Sequence, residues 1–325
     1  MTETTDMITV VIPTRNAGQQ FLHLLDSLQK QTLKPAQIIV IDSESTDETR
    51  ETAGSRNCKI ITVSNIDFDH GTTRNLAMTE VSSEFVVFLT QDAVPADENM
   101  IAELIGPMQA DSNIAICYGR QLPRPDARPL ERFAREFSYP DESILKTKND
   151  IETLGLKTFF CSNSCSAVRC SIFNKLGGFK NNVVVNEDML FAAKAIFHDY
   201  SVYYSATARV YHSHSYSLPQ TFKRYFNIGR FFADNREILK HAGLKGYSGD
   251  MLRAGVKTFW EKRMLHYMVA LFTEFTIKAS ACNLGWYYQL LFYDRTSRGG
   301  TDGDNTLLYR QLDTTRERIS PSGKS

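Results

Sequence analysis

The run ITVVIPTRNAGQQFLHLLDSLQKQTLKPAQIIVID, residues 8–42, decides the fold. It opens with ITVVIPT (8–14), β-branched almost throughout and ended by Pro13, the pattern of a strand covered on both faces. Phe21, Leu24, Leu25 and Leu28 follow at i, i+3, i+4 and i+7, one apolar stripe of a helix laid on a sheet. QIIVID (37–42) then reads as a second buried strand. Strand, helix and strand in succession predict an α/β domain with a mainly parallel sheet.

The same alternation extends downstream. In SESTDET (43–49), Ser45 and Glu48 have the spacing of a capping box and predict a helix start. KIITV (59–63) reads as a third strand, TTRNLAMTEV (72–81) as a helix and EFVVFLT (84–90) as a fourth strand. ENMIAELIGPM (98–108) predicts a helix with Met100, Ile101, Leu104 and Ile105 inward. GRQLPRPDARPLERF (119–133), rich in Pro and Arg, reads as a loop that opens an irregular excursion to about residue 157. FFCSNSCSAVR (159–169) returns to strand-like alternation. SIFNKLGGF (171–179) and NEDMLFAAKAIFHDY (186–200) read as helical, and SVYYSATARVYHSHSY (201–216) as a strand with histidines at its exit. From Leu218 the pattern is helical, with Phe222, Tyr225, Phe226 and Gly229 on one face and Lys223, Arg224 and Arg230 around it. Three regions result: an α/β domain over 1–217, an aromatic and basic helical region over 218–295, and a polar, Gly/Ser-rich tail over 296–325.

Bulk properties narrow the function classes. The 325 residues and 42% apolar content supply a large core. With 37 basic and 37 acidic side chains, no overall field draws the chain to nucleic acid. Of six cysteines only Cys161, Cys165 and Cys170 cluster, with no second cluster to complete a zinc site, so buried free thiols in a reducing compartment are expected. MTETTDMITV lacks the basic, apolar character of a secretory signal, and no uncharged run reaches the ~18 residues that span a bilayer. A cytoplasmic protein is the expectation.

In parallel sheets ligands bind beyond the carboxyl ends of the strands. That rule gathers Pro13–Asn16, Asp42–Asp47 and Thr90–Pro95 into one crevice. Asp92, at the end of a buried strand in FLTQDAVPAD (88–97), is placed to bind a cation or a hydroxylated ligand, or simply to form a turn. Glu187 and Asp188 start an apolar-periodic helix, where the N-terminus favours carboxylate charge by ~0.3–1 kcal/mol. That placement is either simple capping or a base kept ionised for accepting a proton.

VVIPTRN, SLQKQTLKPAQIIVIDSESTDET, TRNLAM, FLTQDAVP and GGF followed by NEDMLFAAKA, in this order over residues 7–215, resemble a family 2 glycosyltransferase with the GT-A nucleotide-sugar-binding fold. DFDHGTTRN (67–75) and TQDA (90–93) resemble segments of bacterial rhamnosyltransferases. The resemblance implies that Pro13, Thr14 and Arg15 line the nucleotide pocket and that Asp42 accepts a hydrogen bond from the pyrimidine. It also implies that Arg74 lies against the ribose or diphosphate and that Gln91 and Asp92 sit at the diphosphate. Most relatives have Asp-x-Asp where this chain has Thr90-Gln91-Asp92, so a divalent cation, Mg or Mn, would rest on Asp92 with His212 or His214, of which His212 is favoured. Asp188 would be the base and Glu187 would orient the acceptor or support the base.

One base and no evident carboxylate nucleophile imply an inverting transfer, giving an α linkage if the donor is dTDP-β-L-rhamnose. The expected partners are dTDP-rhamnose or another nucleotide sugar and a lipid-linked or oligosaccharide acceptor. A UDP-sugar enzyme and a non-catalytic binding module stay as alternatives. A nicotinamide-dependent oxidoreductase does not, because PTRNAG (13–18) holds one glycine where that fold needs three. YFNIGRFF (225–232), KTFWEKRMLHYMVALF (257–272) and WYYQLLFY (286–293) have apolar faces with basic flanks. Such faces suit peripheral contact with the inner membrane surface, packing on the catalytic domain, or a homodimer.

Overall fold

The computed structural model describes residues 7–64, 69–214, 216–242 and 247–293. Strand β1 (Ile8–Thr14) is followed by α1 (Gly18–Gln29), β2 (Gln37–Asp42), α2 (Thr49–Ser55), β3 (Lys59–Thr62), α3 (His70–Met78), β4 (Phe85–Leu89), β5 (Val94–Pro95) and α4 (Met100–Ala110). Next come β6 (Ile114–Leu122), α5 (Pro129–Ser138), β7 (Ile144–Lys146), α6 (Ile151–Leu154), β8 (Cys165–Arg169), α7 (Cys170–Lys175), α8 (Glu187–Phe197) and β9 (Ser201–Tyr211). The helices α9 (Leu218–Asp234), α10 (Arg236–Ala242), α11 (Tyr247–Glu261) and α12 (Leu265–Tyr288) follow, and a π-helical turn over Gln289–Tyr293 ends the described chain.

The sheet runs β3-β2-β1-β4-β8-β6-β9-β5, with β7 also on β9. β1, β2, β3, β4, β6 and β9 point one way and β5, β7 and β8 the other, so the sheet is mainly parallel with antiparallel insertions. Alternate residues of β1 feed opposite faces. Val10 and Ile12 pack with the α1 stripe Phe21, Leu24, Leu25 and Leu28 and with α4. Val11 packs on the other side with Phe88, Phe173, Phe179 and Phe191. Both faces being covered is why β1, β2 and β4 read as continuous apolar runs.

Several sequence expectations need correction. No capping box forms at Ser45 and Glu48: α2 starts at Thr49, and Asp47 accepts from the Thr49 amide. Ser45 Oγ instead accepts from the Asn16 amide, 2.9 Å away, so tertiary pairing of two strand-end loops displaces the local cap. The stretch 119–133 is not one loop, since its first residues complete β6 and its last begin α5, with Pro129 at the helix start. β6 is held by parallel pairing with β9 and antiparallel pairing with β8, partners remote in sequence. Strand structure within 159–169 is confined to Cys165–Arg169. Met100, Ile101, Leu104 and Ile105 are fully buried as their spacing predicts. All six cysteines are free, with Cys117, Cys161 and Cys165 buried. The first two residues of the 67–75 motif and the tail 296–325 lie outside the described residues.

The C-terminal helices are tied to the sheet domain by Phe133 of α5, which packs with Phe259 and Leu271. α9 and α12 cross at two glycines. A Cβ on Gly229 would lie 1.9 Å from the Cys282 carbonyl oxygen, and one on Gly285 1.9 Å from that of Phe226. Backbone meets backbone there, so no side chain can move aside. Gly229→Ala is expected to cost about 1–3 kcal/mol by overpacking, read as a lower urea midpoint, with Cys282 thiol labelling accelerated. Wild-type stability in the variant would show that the crossing is looser than described. Among the described residues no helix is long and apolar enough to cross a membrane.

Candidate active site

Strand ends and helix starts converge on one cleft of about 1260 Å³. Pro13, Thr14, Arg15, Arg74, Gln91, Asp92, Glu187, Asp188, His212 and His214 all line it. Asp42 does not. Its carboxylate is fully buried behind the cleft, accepting from the Ser45 amide at 2.9 Å and lying 3.4 Å from the Thr14 hydroxyl. Asp42 therefore presents no oxygen to the cleft and instead secures the turn after β2. Its neighbour Ser43 does line the cleft, and Ser43 Oγ is buried without a hydrogen-bond partner among the described residues.

Gln91 bridges two strand ends. Its Oε1 accepts from the Arg15 amide at 2.8 Å and its Nε2 donates to the Arg15 carbonyl at 3.2 Å. The amide that follows β4 thus clamps the backbone that follows β1 through one acceptor and one donor.

Asp92, His212 and His214 form a compact group whose ligand atoms lie within 4.8 Å of one another. His212 Nε2 is 3.5 Å from Asp92 Oδ1, and His214 Nδ1 and Arg124 Nη2 are 3.6 and 3.7 Å from Asp92 Oδ2. Burial opposes the charge of Asp92, yet His212, His214 and Thr90 outweigh it and hold the carboxyl well below its usual range. Burial pushes both imidazoles down, His214 to about 4, against the pull of Asp92. At neutral pH the group is one carboxylate beside two neutral rings. His212 Nε2 is buried and has no hydrogen-bond partner among the described residues. An unpaired nitrogen facing a carboxylate oxygen fits a divalent cation of mixed oxygen and nitrogen preference, such as Mn²⁺.

Across the cleft, α8 presents Glu187 and Asp188. Glu187 is buried and its Oε1 accepts from Arg74 Nη1 at 2.6 Å, a side chain itself only 3% exposed. Asn163 Nδ2 lies 3.3 Å from the same oxygen. Arg74 is thus committed to Glu187 and, through the same Nη1, to the His70 carbonyl at 3.2 Å, while its Nε is buried and unpartnered among the described residues. Asp188 accepts from the Asn163 amide at 3.1 Å and from the Met189 amide at 2.8 Å. Burial and the Glu187 charge nonetheless push its carboxyl up to about 7, against those amides and Arg74. Whether this helix start caps or holds a base, the terminus alone does not set the charge of Asp188, because burial and Glu187 act against it. A helix terminus contributes ~0.3–1 kcal/mol, less than the roughly 1.4 kcal/mol of one pKa unit, too little to offset desolvation and a like charge. A carboxyl poised near neutrality is matched to moving a proton.

The glycosyl transferase family 2 model matches residues 9–177. The O-antigen chain rhamnosyltransferase WbaN of Salmonella anatum is 45% identical over 243 residues, 74% of this chain and 77% of that protein. The chain belongs to glycosyl transferase family 2. RfbN of Salmonella typhimurium, also an O-antigen chain rhamnosyltransferase, is 45% identical over 244 residues. This family 2 glycosyltransferase is also similar in fold to the mannosyltransferase PcManGT of Pyrobaculum calidifontis, solved in complex with GDP-Man and Mn²⁺, at TM-score 0.61 and 16% identity over 88% of this chain and 87% of that one. A S. aureus TarS fragment gives TM-score 0.53 and 17% identity over 88% and 93%.

Four residues that shape the glycosyltransferase cleft escaped the sequence: Gln121, Arg124, Arg135 and Asn163. Gln121, Arg124 and Arg135 lie on β6, after it and on α5, in a stretch whose composition reads as loop. Asn163, two residues before β8, carried a signal in being a polar residue at a strand entry in the CSNSC segment.

Proposed function

We propose that the protein is an inverting, metal-assisted rhamnosyltransferase that transfers L-rhamnose from dTDP-β-L-rhamnose to a saccharide acceptor in cell-surface polysaccharide synthesis. One observation carries the reading: a near-neutral carboxyl, Asp188, shares a single cleft with the Asp92, His212 and His214 group. The 45% identity to two rhamnosyltransferases supports the choice of sugar.

In this reading the nucleotide lies along Pro13–Arg15 and Ser43, with Asp42 holding the turn from behind. Asp92, His212 and His214 would hold a divalent cation, Mg²⁺ or Mn²⁺, which when bound neutralises charge growing on the departing diphosphate. Arg124, close to Asp92, adds fixed positive charge at the same place. Asp188 takes the proton of the attacking acceptor hydroxyl, and Glu187, locked by Arg74 and Asn163, stays in place as the like charge that keeps Asp188 basic. A covalent sugar intermediate would need a free second carboxylate, and Glu187 is occupied by Arg74. Displacement from one face turns a β donor into an α product.

The far wall belongs to the C-terminal helices. Thr221, Arg224, Tyr225, Tyr267 and Lys278 line the cleft from α9 and α12, as befits an acceptor platform of aromatic and hydrogen-bonding groups. Outward, α12 leaves Leu265, Phe272, Leu284 and Tyr287 exposed, with Trp260, Lys262 and Arg263 at one end. That apolar face with a basic, aromatic margin suits a membrane surface carrying a polyprenyl-diphosphate-linked acceptor. The deciding experiment presents dTDP-rhamnose and UDP-sugars with a lipid-linked acceptor, with EDTA and with Mn²⁺ restored. Rhamnose transfer lost in EDTA and regained with Mn²⁺ is the expected result, together with flotation on anionic vesicles. Transfer from UDP-sugars alone would overturn the donor, and a soluble dimer that ignores vesicles would overturn the membrane face.

A further inference from the structure

The Gln121 side chain sits between the two chemical ends of the cleft. Only 2% exposed, it points from β6 toward the base of the Asp92, His212 and His214 group. Its Oε1 accepts from Arg135 and lies 2.8 Å from His212 Nδ1. Its Nε2 donates to Ser162 Oγ at 2.8 Å. Ser162 immediately precedes Asn163, whose amide and side chain hold Asp188 and Glu187.

The chemistry of the partners removes the ambiguity of this amide. A guanidinium is donor-only, so the Gln121 oxygen must face Arg135. The His212 nitrogen that shares that oxygen must then be the protonated one. Nδ1–H leaves the Nε2 lone pair bare, and Nε2 is the buried, unpartnered atom 3.5 Å from Asp92 Oδ1. Without this order of constraints the ring could carry its proton on Nε2, where it would bond to Asp92 and close the position to a cation. Reversing the His212 step costs a buried polar contact and reversing the Arg135 step a half-buried one, which fixes the sequence from Arg135 to Gln121 to His212.

We propose that Arg135 and Gln121 are positioning residues: Arg135 orients the Gln121 amide, and that amide holds His212 in the Nδ1–H form with Nε2 free to ligate a divalent cation. The proposal deepens the metal-assisted reading and rests on it. Partners that orient a ligating histidine in this way typically contribute about 10–100-fold in metal affinity.

Two measurements without substrate test it on the full chain. Long-range ¹H–¹⁵N spectra of ¹⁵N-histidine protein without metal, with His212 assigned by comparison with His212→Asn, are expected to show the Nδ1–H tautomer in the wild type. They should show a mixture with Nε2–H in Arg135→Met. Free Mn²⁺ measured by electron paramagnetic resonance is expected to report about 10–100-fold weaker binding in Arg135→Met and Gln121→Leu. Gln121→Glu, which still accepts from both partners, should stay near wild type. An Nε2–H tautomer in the wild type, or unchanged Mn²⁺ affinity in Arg135→Met, overturns the assignment. If Gln121→Leu fails to fold, the tautomer spectrum and Arg135→Met still decide. Wild-type protein that binds no Mn²⁺ while showing the Nδ1–H tautomer overturns the metal reading and leaves the positioning chain standing.

Discussion

Asp188→Asn will lower kcat by about 10²–10⁴-fold while leaving donor affinity close to wild type, because the amide keeps the shape but accepts no proton. The wild-type pH profile should show where that proton goes. The carboxyl is raised to about 7, so log kcat/KM will climb with unit slope from acid pH and level off above about 7. An ordinary aspartate would place that limb near 4. Stability will move in the opposite sense. A carboxyl raised in the folded state contributes stability that is full below its unfolded value of about 3.9 and lost as pH rises through the folded value. Asp188→Asn leaves one of the Asn163 and Met189 amides facing a donor at every pH, so the melting difference between variant and wild type should shift in the variant's favour between pH 3.5 and pH 8. A variant that turns over normally, or a wild-type limb near 4, would remove Asp188 from the role of base.

The second large effect is on folding. Arg74 and Glu187 are 3% and 6% exposed at their side chains, and Arg74 also lies over the Phe88 ring at 5.9 Å. Arg74→Met strands a carboxylate in a site with no other cation bonded to it among the described residues, and breaking a buried pair this way costs about 3–5 kcal/mol. Adding Glu187→Gln to Arg74→Met should restore most of that loss in urea unfolding, since the remaining amide needs no counterion. Arg74 also draws Asp188 down, so any activity left in Arg74→Met should have its acid limb moved to higher pH. A single variant as stable as wild type would show that water reaches Glu187 freely.

What could be read from residues alone was what repeats locally. β1 and β2 carry continuous apolar runs and α1 and α4 periodic apolar stripes, and each element forms where its pattern places it. β6 was hidden because IAICYGRQL owes its strand form to β8 and β9, and its glycine admits the close approach of the Ala208 carbonyl, 2.5 Å from where a Cβ would stand. The position of Asp42 at a strand end was legible, but its direction was set by the Ser45 amide in the following turn. The same holds for Asp188. Its place at a helix start follows from the apolar period after it, whereas its proton affinity depends on enclosure and on Glu187, neither of which a linear pattern encodes. Gln121 and Arg135 had no local signal, being polar residues whose meaning lies in partners far along the chain.

The cleft is lined by residues between 13 and 92, by residues between 121 and 214 including Gln121 and Arg135 of β6 and α5, and on its far wall by α9, α11 and α12. The segment from α9 to α12 thus closes a cleft whose Asp92, Asp188 and His212 come from the sheet domain, so substitutions at Thr221, Tyr225 or Tyr267 reshape that wall while those three residues stay in place.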